Sequence, residues 1–282
     1  MKLNAITKGL ALGTWLLLAG AAAAQDQALP VRSFDRFEFD AVTARGLWAE
    51  VATADSRKDS SSVSVDVVTV EPRLIYGGSL AEGGLLIPFA FVHTESPAFF
   101  GTFTNDESGI GDVRAYGKLL PVQTRWLDAG VGLELSFPSG DDTKGFGTGE
   151  VGFLPFGMAA AHLGFADLRG HLGYQTYSGS NPIFINFQQI ERAPDSYVYG
   201  GGLFRAVSPH VGLRAEFIGQ AFDTADNNQH LLTFEPGLDL RFPLGRIDLL
   251  IRPTGAVGLT SDAPDWGVGG SVGIAWNPEA TP

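Results

Sequence analysis

The chain contains no cysteine, only two methionines, and few charges: Asp, Glu, Lys and Arg make up 18% of its 282 residues. Without cysteine it cannot be a disulfide-stapled scaffold or hold a thiolate metal site. Basic residues are scarce, 19 Lys and Arg against 31 Asp and Glu, for a formal charge of −12. That balance excludes the cationic footprint a nucleic-acid binder needs. Low charge combined with 44% hydrophobic residues excludes a disordered chain. Beyond the first 24 residues no apolar run reaches the roughly 18 residues that a spanning helix requires. Glycine is what the chain has in excess. Its 37 glycines are roughly twice ordinary usage, and they need a backbone reason.

Residues 1–24 read MKLNAITKGLALGTWLLLAGAAAA. Lys2 and Lys8 form a positive n-region, Leu10 to Leu18 an apolar core, and Ala22-Ala23-Ala24 an A-x-A cleavage site before Gln25. This is the pattern of a secretory signal peptide, expected to be removed. An exported chain without cysteine suits a bacterial envelope.

The rest alternates with period two. In 231–243 the even positions are Leu232, Phe234, Pro236, Leu238, Leu240 and Phe242, while the odd ones include Thr233, Glu235, Asp239 and Arg241. In 246–259 the odd positions include Ile247, Leu249, Ile251 and Val257, against Arg246, Asp248 and Arg252. Segments 211–221 and 266–276 behave alike. Period two places these sets on opposite faces of a strand. Twelve strands are expected, near 41–53, 62–76, 82–93, 109–120, 127–137, 149–163, 168–177, 197–206, 209–221, 231–243, 246–259 and 266–276. Several exceed the five or six residues usual in a soluble sandwich and are long enough to cross a bilayer when tilted.

The connections follow a parity rule. Those after even strands are tight: 77–81, 121–126, 164–167, 206–209 and 243–245. Those after odd strands are polar and mostly longer: 54–61, 94–108, 138–148, 178–196, 222–230 and 260–265. Short periplasmic turns and longer extracellular loops are the habit of outer-membrane barrels. The expected fold is therefore all-β: a closed, antiparallel, up-and-down transmembrane barrel of about twelve strands. Closure leaves no unpaired edge in lipid. Inward glycines such as Gly130, Gly132, Gly267, Gly269 and Gly273 suit a tightly curved wall. Trp126 and Trp276 fall near one rim and Trp266 near the other, where aromatic girdles sit.

A set of motifs recurs in order: Tyr76-Gly77-Gly78 ahead of LLIPFAF, Gly109-Ile110-Gly111-Asp112 leading to Tyr116 and Lys118, Phe137-Pro138-Ser139-Gly140-Asp141, Gly145 to Gly149, Gly173-Tyr174, Glu235-Pro236-Gly237-Leu238, and Asp265-Trp266. Over residues 62–276 the chain resembles the outer-membrane barrels grouped as the meta-pathway of phenol degradation family, often named simply transporter. The resemblance implies an envelope pore associated with uptake of aromatic or apolar compounds, and no catalytic residue. Ser139 stands where the family more usually has Thr, and the last strand ends on Trp276 with six residues beyond it.

With apolar faces toward lipid, the lumen-lining residues are expected to be Asp112, Arg114, Lys118, Asp128, Glu134, Arg214, Glu216, Glu235, Asp239, Arg241, Arg246, Asp248 and Arg252. Tight turns set Arg241 beside Asp248 and Arg114 opposite Glu134, and such pairs stabilise neighbouring strands. They either fill and brace the barrel or line a narrow path. Residues 25–40 form a periplasmic N-terminal segment. It is either a loose tail or a lumen plug carried by Phe34, Phe37 and Phe39. The barrel then spans 41–276, and 277–282 is a C-terminal tail.

No metal site is expected, because Asp141-Asp142 lacks the alternating spacing of a calcium loop. No cofactor is expected either. His93, His162, His171, His210 and His230 are scattered and no G-x-S-x-G elbow occurs, so the reading is not an enzyme. The expected function is passive transport of small, aromatic or apolar solutes across the bacterial outer membrane. The alternatives are a structural or surface-interaction barrel with a filled lumen, and, less favoured, an outer-membrane lipid hydrolase. Expected partners are outer-membrane lipid, a small-molecule solute and the barrel-assembly machinery.

Overall fold

Alternating faces need two different surroundings, and a closed sheet supplies them. The computed structural model describes residues 37–60, 63–98, 101–179, 183–185, 188–190, 195–222 and 229–276. The leader 1–24, Phe34 and the tail 277–282 lie outside the described residues.

The strands are β1 (Gly46–Asp59), β2 (Ser64–Gly77), β3 (Ala81–Leu86 continuing as Phe89–Ala98), β4 (Gly101–Ile110 continuing as Val113–Gln123), β5 (Leu127–Phe137), β6 (Gly152–His162), β7 (Asp167–Tyr177), β8 (Ser196–Ser208), β9 (Val211–Phe222), β10 (His230–Leu244), β11 (Ile247–Gly258) and β12 (Trp266–Trp276). Neighbours in sequence pair antiparallel throughout. β1 closes the ring: it pairs with β2 from Gly46↔Gly77 to Asp59↔Ser64, and with β12 from Leu47↔Trp276 to Arg57↔Trp266. The fold is a closed twelve-strand barrel.

The turns at 78–80, 124–126, 163–166, 209–210 and 245–246 lie at one end, here the terminal rim, together with the start of β1 and the end of β12. The connections 138–151 and 259–265 lie at the opposite loop rim, together with the ends of β7 and β9 and the starts of β8 and β10. At the 245–246 turn, Gly245 adopts φ 73°, a left-handed conformation that permits a two-residue reversal.

Two boundaries differ from the sequence expectation. Residues 94–108, read as a loop, are mostly strand: β3 runs on to Ala98 and β4 starts at Gly101. Their polar side chains signal solvent rather than irregular backbone, because an antiparallel ladder can continue past the apolar band with both faces wet. Similarly β1 extends to Asp59, while residues 41–44, expected in the first strand, leave the wall and run inside it. Both β3 and β4 are interrupted at the same height. Pro88 has no N–H for the ladder, and across from it Gly111 donates its own N–H to the Pro88 carbonyl at 2.8 Å.

Exposure fixes which face is which. Val272 is 56% exposed, whereas Arg252, on the adjacent β11, is 3% exposed. Leu74, Tyr76, Val131, Leu172, Val268 and Ile274 all point outward, while Glu50, Arg73, Glu134, Arg214 and Glu216 are buried within the barrel. An apolar girdle this extensive far exceeds the few hundred Å² that soluble monomers expose.

Candidate functional site

The barrel interior has three zones, stacked from the terminal rim to the loop rim. The middle zone is a belt of ion pairs. It begins at Glu134 on β5, 3.7 Å from Arg114 on β4, which also bonds Glu71 on β2. Arg73 links Glu71 (2.7 Å) to Glu50 on β1 (3.1 Å). Arg252 on β11 links Glu50 to Asp239 on β10, both at 3.3 Å. Arg214 on β9 then stands between Asp239 (3.9 Å) and Glu216 (3.7 Å). Each arginine thus sits between two carboxylates, so no charge is left isolated in a poorly hydrated space. This matters because an uncompensated buried ion costs several kcal/mol. β12 passes behind the belt with Gly273, where a Cβ would lie 3.0 Å from that of Glu50 and 2.9 Å from the Ala49 carbonyl oxygen. Glycine there gives Glu50 its place.

The terminal zone is filled. Residues 38–44 enter from the rim and are buried, apart from the half-buried Val42. The Phe39 ring packs 4.4 Å from Phe156 and 5.0 Å from His171. Three barrel side chains hold the backbone of this segment or the carboxylate of its aspartate, Asp40. Arg169 grips the Asp40 carboxylate at 2.9 and 3.0 Å. Lys118 donates to the Asp40 and Val42 carbonyls at 2.8 and 2.9 Å. Glu82 accepts the Ala44 N–H, and it is itself bonded by Tyr116 (2.7 Å) and Lys118 (3.1 Å). Trp48, Ile75, Leu86, Leu250 and Ala275 pack beside Ala44. Nearer the rim, Asp167 joins Arg169 (2.7 Å) to His162 (2.9 Å), and His162 reaches Asp128 (3.2 Å).

The loop-side zone is open. A cavity of about 280 Å³ lies above the belt, lined by small residues (Ala54, Ser56, Ala256, Gly267, Gly269), hydroxyls (Thr69, Thr233, Thr254) and the apolar Ile218 and Leu231. Glu235 is on its lining and accepts a 3.0 Å hydrogen bond from Thr233. Among the described residues no group of three or more His, Asp or Glu is placed to hold a metal ion.

The residues singled out in the sequence fall in different places. Arg114, Glu134, Arg214, Glu216, Asp239 and Arg252 come together in the belt. Lys118 lies in the terminal zone. Arg241 pairs with Asp248 at 2.9 Å, away from the belt. Arg246 does not face the interior at all; it sits exposed in the 245–246 turn, where the chain reverses and the period-two rule stops applying. Asp112 lies at the interruption of β4 and organises the 138–151 loop, accepting from Gly140 N (3.1 Å), Thr148 N (2.8 Å) and Thr148 Oγ1 (2.7 Å). Ser139 Oγ completes that junction, accepting from Val113 N at 2.8 Å and donating to Gly111 O at 3.1 Å. Within the same loop the Thr143 hydroxyl, and then Lys144, hold the Asp141 carboxyl below its ordinary pKa. Phe39 is buried, Phe37 opens the short 3-10 turn Phe37–Phe39, and Phe34 is outside the described residues.

Sequence reasoning missed Glu50, Glu71, Arg73, Glu82, Asp40 and Arg169. A signal existed for some of them: Glu71, Arg73 and Ile75 share one parity on β2, as do Trp48, Glu50 and Ala52 on β1, and all six are buried.

No family model matches the chain, and no curated protein does. Solved structures share the fold. An outer-membrane channel from Pseudomonas putida F1 superposes with TM-score 0.61 at 15% identity, over 86% of this chain and 99% of that one. The β-domain of the Bordetella autotransporter BrkA gives 0.50 at 13% identity, over 83% and 99%. The transport unit of the Escherichia coli autotransporter AIDA-I gives 0.50 at 9%, over 94% and 97%. The same architecture thus carries different tasks, and the task must be read from the interior.

Proposed function

We propose that this protein is exported by its leader, inserts in the bacterial outer membrane, and gives passive passage to small apolar or aromatic solutes. The short turns then face the periplasm and the opposite rim, with the 138–151 connection, faces outward. The observation that carries this reading is the uneven interior: a cavity of about 280 Å³, lined by small and hydroxyl-bearing side chains and Glu235, lies on the loop side of the ion-pair belt. The belt alternates in sign, so it presents little net field to draw ions through, unlike a ring of like charges. A neutral solute small enough for the cavity fits this environment better than an ion does. The motif resemblance points to the same solute class, and the P. putida relative is itself described as an outer-membrane channel. In this reading Asp112, Arg114, Lys118, Glu134, Arg214, Glu216, Glu235, Asp239, Arg241, Asp248 and Arg252 line or brace the path, and segment 25–40 acts as its plug through Phe39.

The alternative is a structural barrel without flux, favoured by the packing of residues 38–44 across the terminal zone. Two measurements separate the readings. Transport predicts discrete conductance steps from purified protein in a planar bilayer. It also predicts faster uptake of radiolabelled phenol by whole cells carrying the chain than by deletion cells. Absence of both effects supports the filled barrel and overturns the transport reading. A lipid hydrolase would instead release fatty acid from phospholipid or lipopolysaccharide.

A further inference from the structure

Closure of the barrel is complete only up to the height at which β5 ends. There Val113↔Phe137 is the last pair between β4 and β5, and the chain leaves into the 138–151 connection. β4 continues past that point as Gly101–Ile110, paired on one side with Phe89–Ala98 of β3 and, among the described residues, with no strand on the other. The direction of its free groups follows from one bond. Gly111 N–H donates to Pro88 O, so 88 and 111 form a hydrogen-bonded pair. Alternation then makes 109, 107, 105 and 103 hydrogen-bonded pairs as well. Thr102, Thr104, Asp106 and Ser108 therefore turn their N–H and C=O groups away from β3, toward the open side.

Residues 102–108 are all exposed. At its barrel end the edge is capped: Phe146 lies over Gly109, and Ser139 bonds Gly111. Seven residues of edge remain, about 23 Å of strand. Its charge is acidic. Glu107 faces one side of the hairpin and Asp106 the other, with Glu95 on the neighbouring strand. His93 offsets part of this, lying 2.5 Å from Asp106 and 3.3 Å from Glu95.

We propose that this edge docks an extended, cationic peptide segment as an added strand. Main-chain pairing supplies the contact, and Asp106 and Glu107 select lysine or arginine on successive, oppositely facing positions. A second copy of the chain fits poorly, since antiparallel self-pairing brings Asp106 and Glu107 near their own counterparts. The chain's own segments 223–228 (DTADNN) and 180–194 (SNPIFINFQQIERAP) do not match in charge either, since neither is cationic.

The test uses the full-length barrel in neutral phosphatidylcholine nanodiscs and a fluorescent octapeptide of valine and threonine with two successive lysines at its centre, followed by anisotropy. Saturable binding is expected. It should weaken about tenfold when alternate peptide amides are N-methylated, and by a similar factor for Ser108→Pro, which removes an edge donor without touching the β3 ladder. Asp106→Asn with Glu107→Gln, which leaves the backbone intact, should weaken binding most at low salt. No saturation below about 1 mM, or equal binding of the N-methylated peptide, would overturn the proposal. So would a sedimenting dimer abolished by Ser108→Pro, which would assign the edge to a second copy.

Discussion

The two ends of the barrel interior are built in opposite ways. Toward the terminal rim, large side chains (Trp48, Tyr116, Phe39, Phe156) and the inserted segment 38–44 leave little space, and Glu82, Lys118 and Arg169 bond the segment's polar groups. Toward the loop rim, β1, β11 and β12 offer Ala54, Ser56, Ala256, Gly267 and Gly269, and a cavity results. The wall is the same twelve strands throughout. What differs is the volume of inward side chains, position by position. One end is packed like a protein core and the other like a vestibule, with the ion-pair belt between them.

That contrast can be broken at several points. The largest effect is expected at the belt. Arg73→Ala leaves Glu50 without one of its two arginines and Glu71 with only Arg114, and removing one partner of a buried pair costs about 3–5 kcal/mol. A lowered urea midpoint, followed by gel mobility of unboiled samples, checks it. Next is the inserted segment. Asp40→Asn weakens its hold on Arg169, which keeps Asp167 as a partner. The proposed plug predicts a several-fold larger conductance with a smaller stability loss than Arg73→Ala. Unchanged conductance would reduce the segment to a brace. At the open end, Ala256→Phe should fill the cavity and slow phenol uptake, while costing about 1 kcal/mol or less because the site has room.

The smallest effect concerns His93 on the hairpin that β3 and β4 form beyond the barrel wall. The hydrogen bond to Asp106, then that to Glu95, raises its pKa above 6.5. A raised folded value means that its ion pairs contribute fully below about pH 6.5 and are lost as pH rises through the folded pKa. An imidazole NMR titration should show the upward shift, and Asp106→Asn should bring the midpoint back toward 6.5.

Much of this architecture was legible because period two is a local property. In β10 the outward Leu238 and Phe242 and the inward Glu235 and Asp239 alternate without interruption, and twelve such segments with short turns on one side describe a barrel. The hairpin at 94–108 was missed because polarity was taken as irregularity. A strand standing clear of lipid needs no apolar face. The belt was read only in part, since on β1 apolar residues occupy both faces: Trp48 and Ala52 flank Glu50 inside, while Leu47 and Val51 lie outside. The anchoring of the inserted segment was not legible at all. Asp40 and Arg169 are 129 residues apart, and their meeting depends on where a closed wall brings β7.

The wall separates lipid from an ionic interior, and the natural absence of cysteine makes that separation directly measurable. Nitroxides placed at Val272→Cys and Ser271→Cys, neighbours on β12 with opposite faces, can be compared for collision with oxygen and with a water-soluble nickel chelate in lipid bilayers. The label at 272 should collide readily with oxygen and scarcely with nickel, and the label at 271 should be shielded from both or show the reverse preference. A nickel-accessible label at 272 with an oxygen-rich environment at 271 would contradict the account.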